Sequence, residues 1–403
     1  MLIYFIIYVQ VWILAVATIL RYYTHYQQNT IRFTSHMDYL DWNTTFPSIT
    51  VCEIANTDKI NALTAAEDGH KLDRFISDVA FFSGTCYSCI SSCEESESCL
   101  KDFEVISSYY RTVCQDLFVN CKWNDEPINC CKHFKPIQTE YGLCFSINNK
   151  HTQGKQYLRF ASTRKRQMGA LEIVASQDYE AFLHSSEDVP FWNMEYDRRI
   201  TVIYGSEASM IFSIMDVVNE PEVSLIAPEV RNCRFPHEVP DNFIAYNHYS
   251  YSVCIIQCRI EAQLDMCNCV HHMSPSTYKN RFCDLEGLKC LTRNYKSLRK
   301  LKVPAVNETG LECDCSPSCT EPDYNVVSKK LKEPNKDLQA GAAVFMLGNR
   351  PYQRMTRQVA RTTLDLVVAM GNVFGLCFGG SLLSIAEVLY YLCFRKWKYT
   401  AEK

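Results

Sequence analysis

Residues 1–20 read MLIYFIIYVQVWILAVATIL and residues 364–394 read LDLVVAMGNVFGLCFGGSLLSIAEVLYYLCF, and these two apolar runs at the ends of the chain decide its class. About 20 such residues span the ~30 Å hydrocarbon core of a bilayer. In the first run Gln10 is the only strongly polar side chain before Arg21. A cleaved signal peptide would need a basic start and an apolar stretch of only about 7–15 residues ending in small side chains; neither is present, so 1–21 reads as an uncleaved span. The second run is broken only by Asp365, Asn372 and Glu387 and closes on Arg395, Lys396 and Lys398. As one straight helix it would be ~46 Å long at ~1.5 Å per residue, so it must tilt, bend or protrude. Residues 364–394 are therefore the second expected span, and 395–403 a short tail.

Working outward from the spans, residues 22–363 hold 20 of the 22 cysteines. An even, dense set of this kind implies a disulfide framework in an oxidising compartment. The block is expected outside the cell, with both termini cytoplasmic. The sequons at Asn43 and Asn307 agree as glycosylation candidates. Basic residues flank the second span on both sides, so the positive-inside rule is not decisive. A net charge of −4, from 41 Lys and Arg against 45 Asp and Glu, excludes the strongly basic balance that binds nucleic acid.

The cysteines fall into two groups of ten, Cys52 to Cys144 and Cys233 to Cys319, on either side of a Cys-free middle. That middle carries β-type runs at 171–175 and 199–204, rich in branched residues. Residues 73–82 and 252–267 have helical apolar spacing, and 324–327 and 342–347 read as short strands. Cys267, Cys269, His271 and His272 are four potential zinc ligands within six residues. Compartment and even cysteine count favour bridges, and neither metal nor cofactor is expected. The basic stretch 292–302 reads most simply as a solvated helix face.

Four of the 14 glycines lie at 371, 375, 379 and 380. Two G-x-x-x-G pairs suit close helix packing, yet packing does not call for Gly379-Gly380-Ser381. Unwinding there would free backbone carbonyls, tolerable at membrane depth only where they are buried or line water, and carbonyls with a hydroxyl can replace an ion's hydration shell. Glu387 within the apolar run is costly unless it faces an interior, an interface or a headgroup. A pore accounts for both features.

Five segments then match one family in order: Phe46-Pro-Ser-Ile-Thr-Val-Cys52; Cys130-Cys-Lys-His-Phe134 through Thr139-Glu-Tyr-Gly-Leu-Cys144-Phe-Ser-Ile-Asn148; Tyr249-Ser-Tyr-Ser-Val-Cys254 with Cys258, Cys267 and Cys269; Cys313-Asp-Cys315-Ser-Pro-Ser-Cys319; and Gly375-Leu-Cys-Phe-Gly379-Gly-Ser381-Leu-Leu-Ser384-Ile-Ala-Glu387. Through them the chain resembles the degenerin/epithelial sodium channel superfamily, and most of all its insect pickpocket branch.

The resemblance implies a membrane α+β fold: two transmembrane helices flank a large disulfide-rich ectodomain of palm, β-ball, knuckle, finger (about 62–140) and thumb (about 245–320). It implies thumb bridges Cys233–Cys319, Cys254–Cys315, Cys258–Cys313, Cys267–Cys290 and Cys269–Cys283, a palm bridge Cys52–Cys144, and a partner for Cys121 at Cys130 or Cys131. Gly379, Gly380 and Ser381 fall on the family's selectivity filter. Asp365, Val368, Gly371, Asn372, Gly375 and Glu387 are carried over as pore and gate candidates. Val368 stands where small residues are usual, and Gly371-Asn372 replaces the usual Gly-Gly.

The implied function is a subunit of a trimeric, amiloride-sensitive, sodium-selective plasma-membrane channel, gated by an extracellular chemical or mechanical stimulus. Its partners would be sodium ions, membrane lipid and related subunits in a homo- or heterotrimer. Acid sensing does not carry over, because no proton-sensing cluster can be matched. The family's cytoplasmic His-Gly motif has no counterpart before Met1, which favours an incomplete start. A two-span ectoenzyme such as a nucleotide hydrolase is the alternative, but no G-x-G-x-x-G, G-x-S-x-G, P-loop or H-E-x-x-H pattern occurs.

Overall fold

The structure is a computed structural model of the full chain. It describes all residues except 1, 29, 38–43, 68–71, 92–101, 153–160, 163–167, 303–308, 336–337, 350–352, 380–381 and 392–403. Asn43, Asn307, Gly380, Ser381, Cys93 and Cys99 lie outside the described residues, as does the expected tail. The chain divides into two compact units, one of residues 1–34, 218–232 and 356–403, the other of residues 35–217 and 233–355.

The larger unit is built on two sheets. One has five antiparallel strands in the order Arg199–Val202, Asp178–His184, Ser48–Ala55, Gly142–Ile147, Lys135–Thr139. The other places Glu207–Asn219 beside Gly341–Leu347, then Ala170–Ala175, Phe118–Trp123 and Glu126–Ile128, with Asp323–Leu331 also paired to Glu207–Asn219. The pair 207–212 with 342–347 is parallel and makes this sheet mixed. Successive side chains of a strand point to opposite faces, and that alternation builds the core. Ile49, Val51, Tyr179, Ala181 and Leu183 meet Leu171, Ile173, Met210, Phe212 and Phe345 between the sheets.

The other face of the five-stranded sheet presents Cys52, Ile137, Cys144 and Phe182 to Val253, Ile256 and Ile260 of the helix Tyr251–Cys267. A third cluster joins the helices Asp73–Ala80 and Phe103–Tyr110, through Phe75, Val79, Phe103 and Ile106, to Leu288, Leu291 and Leu298 of the segment beyond that helix. The sequence-read strands are longer than expected at Asp323–Leu331 because each has a paired neighbour to extend along.

Nine disulfides are present among the described residues. Cys52 and Cys144 sit on neighbouring strands whose register pairs Val51 with Phe145, and their Cα atoms are 4.5 Å apart. Cys254–Cys315 and Cys258–Cys313 join one helix face to a C-x-C segment. Four helical residues advance ~6 Å and two extended residues ~6.6 Å, so both bridges close without shifting either partner. Cys267–Cys290 and Cys269–Cys283 follow at the helix end, where Asn268 adopts the left-handed conformation, and Cys233–Cys319 closes the longest loop after Cys52–Cys144. Cys121 pairs with Cys130, and Cys114 with Cys131. Bridging consumes Cys267 and Cys269, so the four-ligand zinc reading has lost half its ligands.

Candidate functional site: the second apolar helix and an acidic cavity

In the smaller unit the helix Leu2–Gln28 carries an apolar stretch, Ile3–Tyr26, long enough to cross a bilayer. Tyr4 and Tyr23 lie near its ends, ~28 Å apart along the axis at ~1.5 Å per residue, close to the spacing of the aromatic belts at the two membrane interfaces. The shielded positions in its middle are Val11, Ala15, Thr18 and Ile19. This i, i+4, i+7, i+8 stripe fits a helix packed along one side, and the neighbour is the helix Thr363–Phe378.

Thr363–Phe378 opens on a capping box. Thr362 Oγ1 accepts from Asp365 N at 3.2 Å, and Asp365 Oδ2 accepts from Thr362 N and Oγ1 at 2.8 and 2.9 Å. The helix ends at Gly379, whose φ of +64° is a left-handed cap and whose N–H donates to Gly375 O at 2.8 Å. Glycine is the residue that takes this conformation without a Cβ clash. A separate helix, Leu382–Tyr390, follows. Among the described residues the run thus holds two helices, and its first apolar piece, Leu364–Cys377, is shorter than a full span.

Burial along Thr363–Phe378 divides the candidates by face. Leu366, Met370, Val373 and Cys377 form the half-buried stripe. At 100° per residue the side opposite carries Val368, Gly371, Asn372, Gly375 and Gly379, with Asp365 on its flank. Val368 is 52% exposed, and a Cβ on Gly371 or Gly379 would meet nothing within 4 Å. Val368, Gly371 and Asn372 therefore share one exposed side of one helix, with Gly375 half-buried on the same side. Glu387 is exposed on the next helix.

In the larger unit a cavity of about 330 Å³ is lined by His184, Asp188, Glu195, Arg198, Tyr251, Glu321 and their neighbours. Asp188 is buried and accepts from Ser252 Oγ at 2.8 Å; Ser250, the N-cap of the helix Tyr251–Cys267, lies 2.9 Å from that hydroxyl. Arg198 is the guanidinium lining the cavity among the described residues. It reaches Glu195 at 3.1 Å, Glu321 at 3.6 Å and, outside the cavity, Asp323 at 3.7 Å. With three carboxylates around one guanidinium, burial pushes the Glu321 carboxyl up to about 8, helped by the charge of Asp188. Burial likewise raises Asp188 against the pull of its serine hydroxyls. This cluster escaped sequence reading because Asp188 and Glu321 belong to distant segments. The only local sign was the run Glu187-Asp188 ahead of Pro190 and Phe191.

Residues 1–391 match the family described as amiloride-sensitive sodium channel. The sodium channel protein Nach of Drosophila ananassae is 22% identical over 94% of this chain and 78% of its own length. Pickpocket protein 11 of Drosophila melanogaster is 22% identical over 72% of this chain and 57% of its own, and acid-sensing ion channel 4-B of Danio rerio is 23% identical over 86% and 63%. Against the cryo-EM structure of a proton-activated chloride channel the TM-score is 0.29 at 7% identity, over 97% of this chain and 98% of that one, too low to bear on the fold. The family and these relatives are ion channels rather than enzymes, and on the match along nearly its whole length this chain belongs to the amiloride-sensitive sodium channel family, within the degenerin/epithelial sodium channel superfamily.

Proposed function

We propose that the chain is a subunit of a trimeric, sodium-selective, amiloride-sensitive channel of the plasma membrane, with two spans, cytoplasmic termini and a glycosylated ectodomain gated by an extracellular stimulus. The observation that carries this reading is the second apolar helix, which stops at a left-handed Gly379 with Val368, Gly371 and Asn372 exposed along one side. Three copies arranged about an axis would turn those open sides inward as a pore wall. The Gly379-Gly380-Ser381 motif would supply carbonyls and hydroxyls where sodium sheds water.

In this reading residues about 62–140 are the finger and about 245–320 the thumb, with palm and β-ball strands between them; the helices Asp73–Ala80 and Phe103–Tyr110 in the first range and the disulfide ladder on Tyr251–Cys267 in the second support it. A thumb stiffened by five bridges is suited to carry an extracellular event to the strands of the palm. The test is two-electrode recording of the chain, alone and with related subunits, under a panel of chemical and mechanical stimuli. Amiloride-blocked sodium current dependent on this chain supports the reading. Its absence under every pairing, with protein present at the surface, refutes it.

A further inference from the structure

We infer that His151 and His248 form an exchangeable binding site for a borderline divalent transition-metal ion such as Zn²⁺ or Cu²⁺, at the foot of the helix Tyr251–Cys267. The two imidazoles meet with ring centroids 5.5 Å apart and planes at 61°. Two imidazoles on one tetrahedral zinc, with Zn–N bonds of about 2.0–2.1 Å, place their centroids about 5 Å apart.

The ring of His151 is prepared for this role. Its Nε2 lies 2.8 Å from the Glu187 carbonyl oxygen. A carbonyl has no proton to give, so Nε2–H donates, and the neutral ring then carries its lone pair on Nδ1. Holding the far nitrogen in this way fixes the tautomer and ring orientation of a metal-ligating histidine. Nδ1 has no hydrogen-bond partner among the described residues, and neither ring nitrogen of His248 has one. The nearby Lys150 ammonium is paired with the Glu187 carboxylate, and the Tyr246 ring packs 5.3 Å from His151.

Two side chains are fewer than the three or four of a resident zinc site, and no group of three His, Cys, Asp or Glu is placed to hold a metal among the described residues. Water would complete the coordination, which makes the ion a modulator and not a structural fixture. Imidazole suits zinc and copper and is a poor ligand for calcium or magnesium. His151 follows the strand Gly142–Ile147, and His248 stands two residues before the N-cap Ser250. A bound ion would pin the start of the long helix to the sheet beneath it.

The test is isothermal titration of the purified full chain in detergent with zinc chloride, alongside thermal unfolding. Saturable binding that raises the unfolding temperature is expected, with at least a tenfold loss of affinity in His248→Ala and recovery in His248→Cys, which keeps a metal-binding side chain. His237→Ala, a histidine stacked on Phe235 elsewhere in the unit, should bind as wild type. No binding by the wild type, unchanged affinity in His248→Ala, or an equal loss in His237→Ala would overturn the assignment. These readouts need no current, so they stand apart from the channel reading.

Discussion

The guanidinium of Arg259, on the helix Tyr251–Cys267, donates to the carboxylate of Glu140, in the turn between Lys135–Thr139 and Gly142–Ile147. Arg259 is 0% exposed and Glu140 3%. Asn193 and the Leu298 carbonyl accept from the same guanidinium, and the ring of Trp192 lies 5.1 Å from its Cζ. Glu140 in turn accepts from Trp192 N at 2.8 Å. This pair pins the long helix to the five-stranded sheet. Removing one partner leaves a buried charge alone, so Glu140→Ala should cost about 3–5 kcal/mol, read as a lowered midpoint in urea unfolding. An unchanged midpoint would show that the pair does not hold the two elements together.

Stability should depend on pH through the acidic cavity. Glu321 binds its proton more tightly in the folded chain than in the unfolded one, so the folded state carries the extra proton between about 4.5 and about 8. Stability is therefore retained at the acid side of that window and falls as pH rises through it. Glu321→Gln should flatten the profile of unfolding temperature against pH over this range. A wild-type slope in the variant would remove Glu321 as its source.

Among the bridges, Cys258–Cys313 ties the middle of the long helix to its C-x-C partner. Loss of one native disulfide typically costs about 2–5 kcal/mol. Cys258→Ser should lower surface expression, measured by biotinylation, much more than it alters ion selectivity in the channels that remain. Equal surface levels would mean that the ladder tolerates a missing rung.

The sequence made some of this legible and hid the rest for physical reasons. Apolar runs and cysteine density announce themselves locally, and so does the glycine cluster, since each needs only near neighbours to be read. Register is different. Cys121 could face Cys130 or Cys131 until the strands Phe118–Trp123 and Glu126–Ile128 set Cys121 opposite Ile128. The sandwich also depends on which strand pairs with which. The parallel contact between 207–212 and 342–347 crosses more than a hundred residues, and no local pattern encodes it. Asp188, Arg198 and Glu321 meet for the same reason, through folding and not through spacing. The pore candidates were legible as residue types, whereas their division into a packed and an open side required the neighbouring helix Leu2–Gln28.

That division gives a scanning prediction. In channels containing single cysteines, a charged thiol reagent applied from outside should block current at Val368→Cys and Asn372→Cys. Leu366→Cys and Val373→Cys, on the half-buried stripe, should react slowly or not at all. The reverse pattern would put the opposite side of the helix on the pore.

The central claim is that the chain's own Gly379-Gly380-Ser381 motif selects sodium, and the reversal potential measures it most directly. With sodium replaced by potassium outside, wild-type current should reverse at a strongly more negative voltage. Ser381→Ala and Ser381→Asp should shrink that shift, because the hydroxyl that helps replace sodium's water is removed or changed. Wild-type reversal potentials in both variants would contradict the assignment of the filter to this motif.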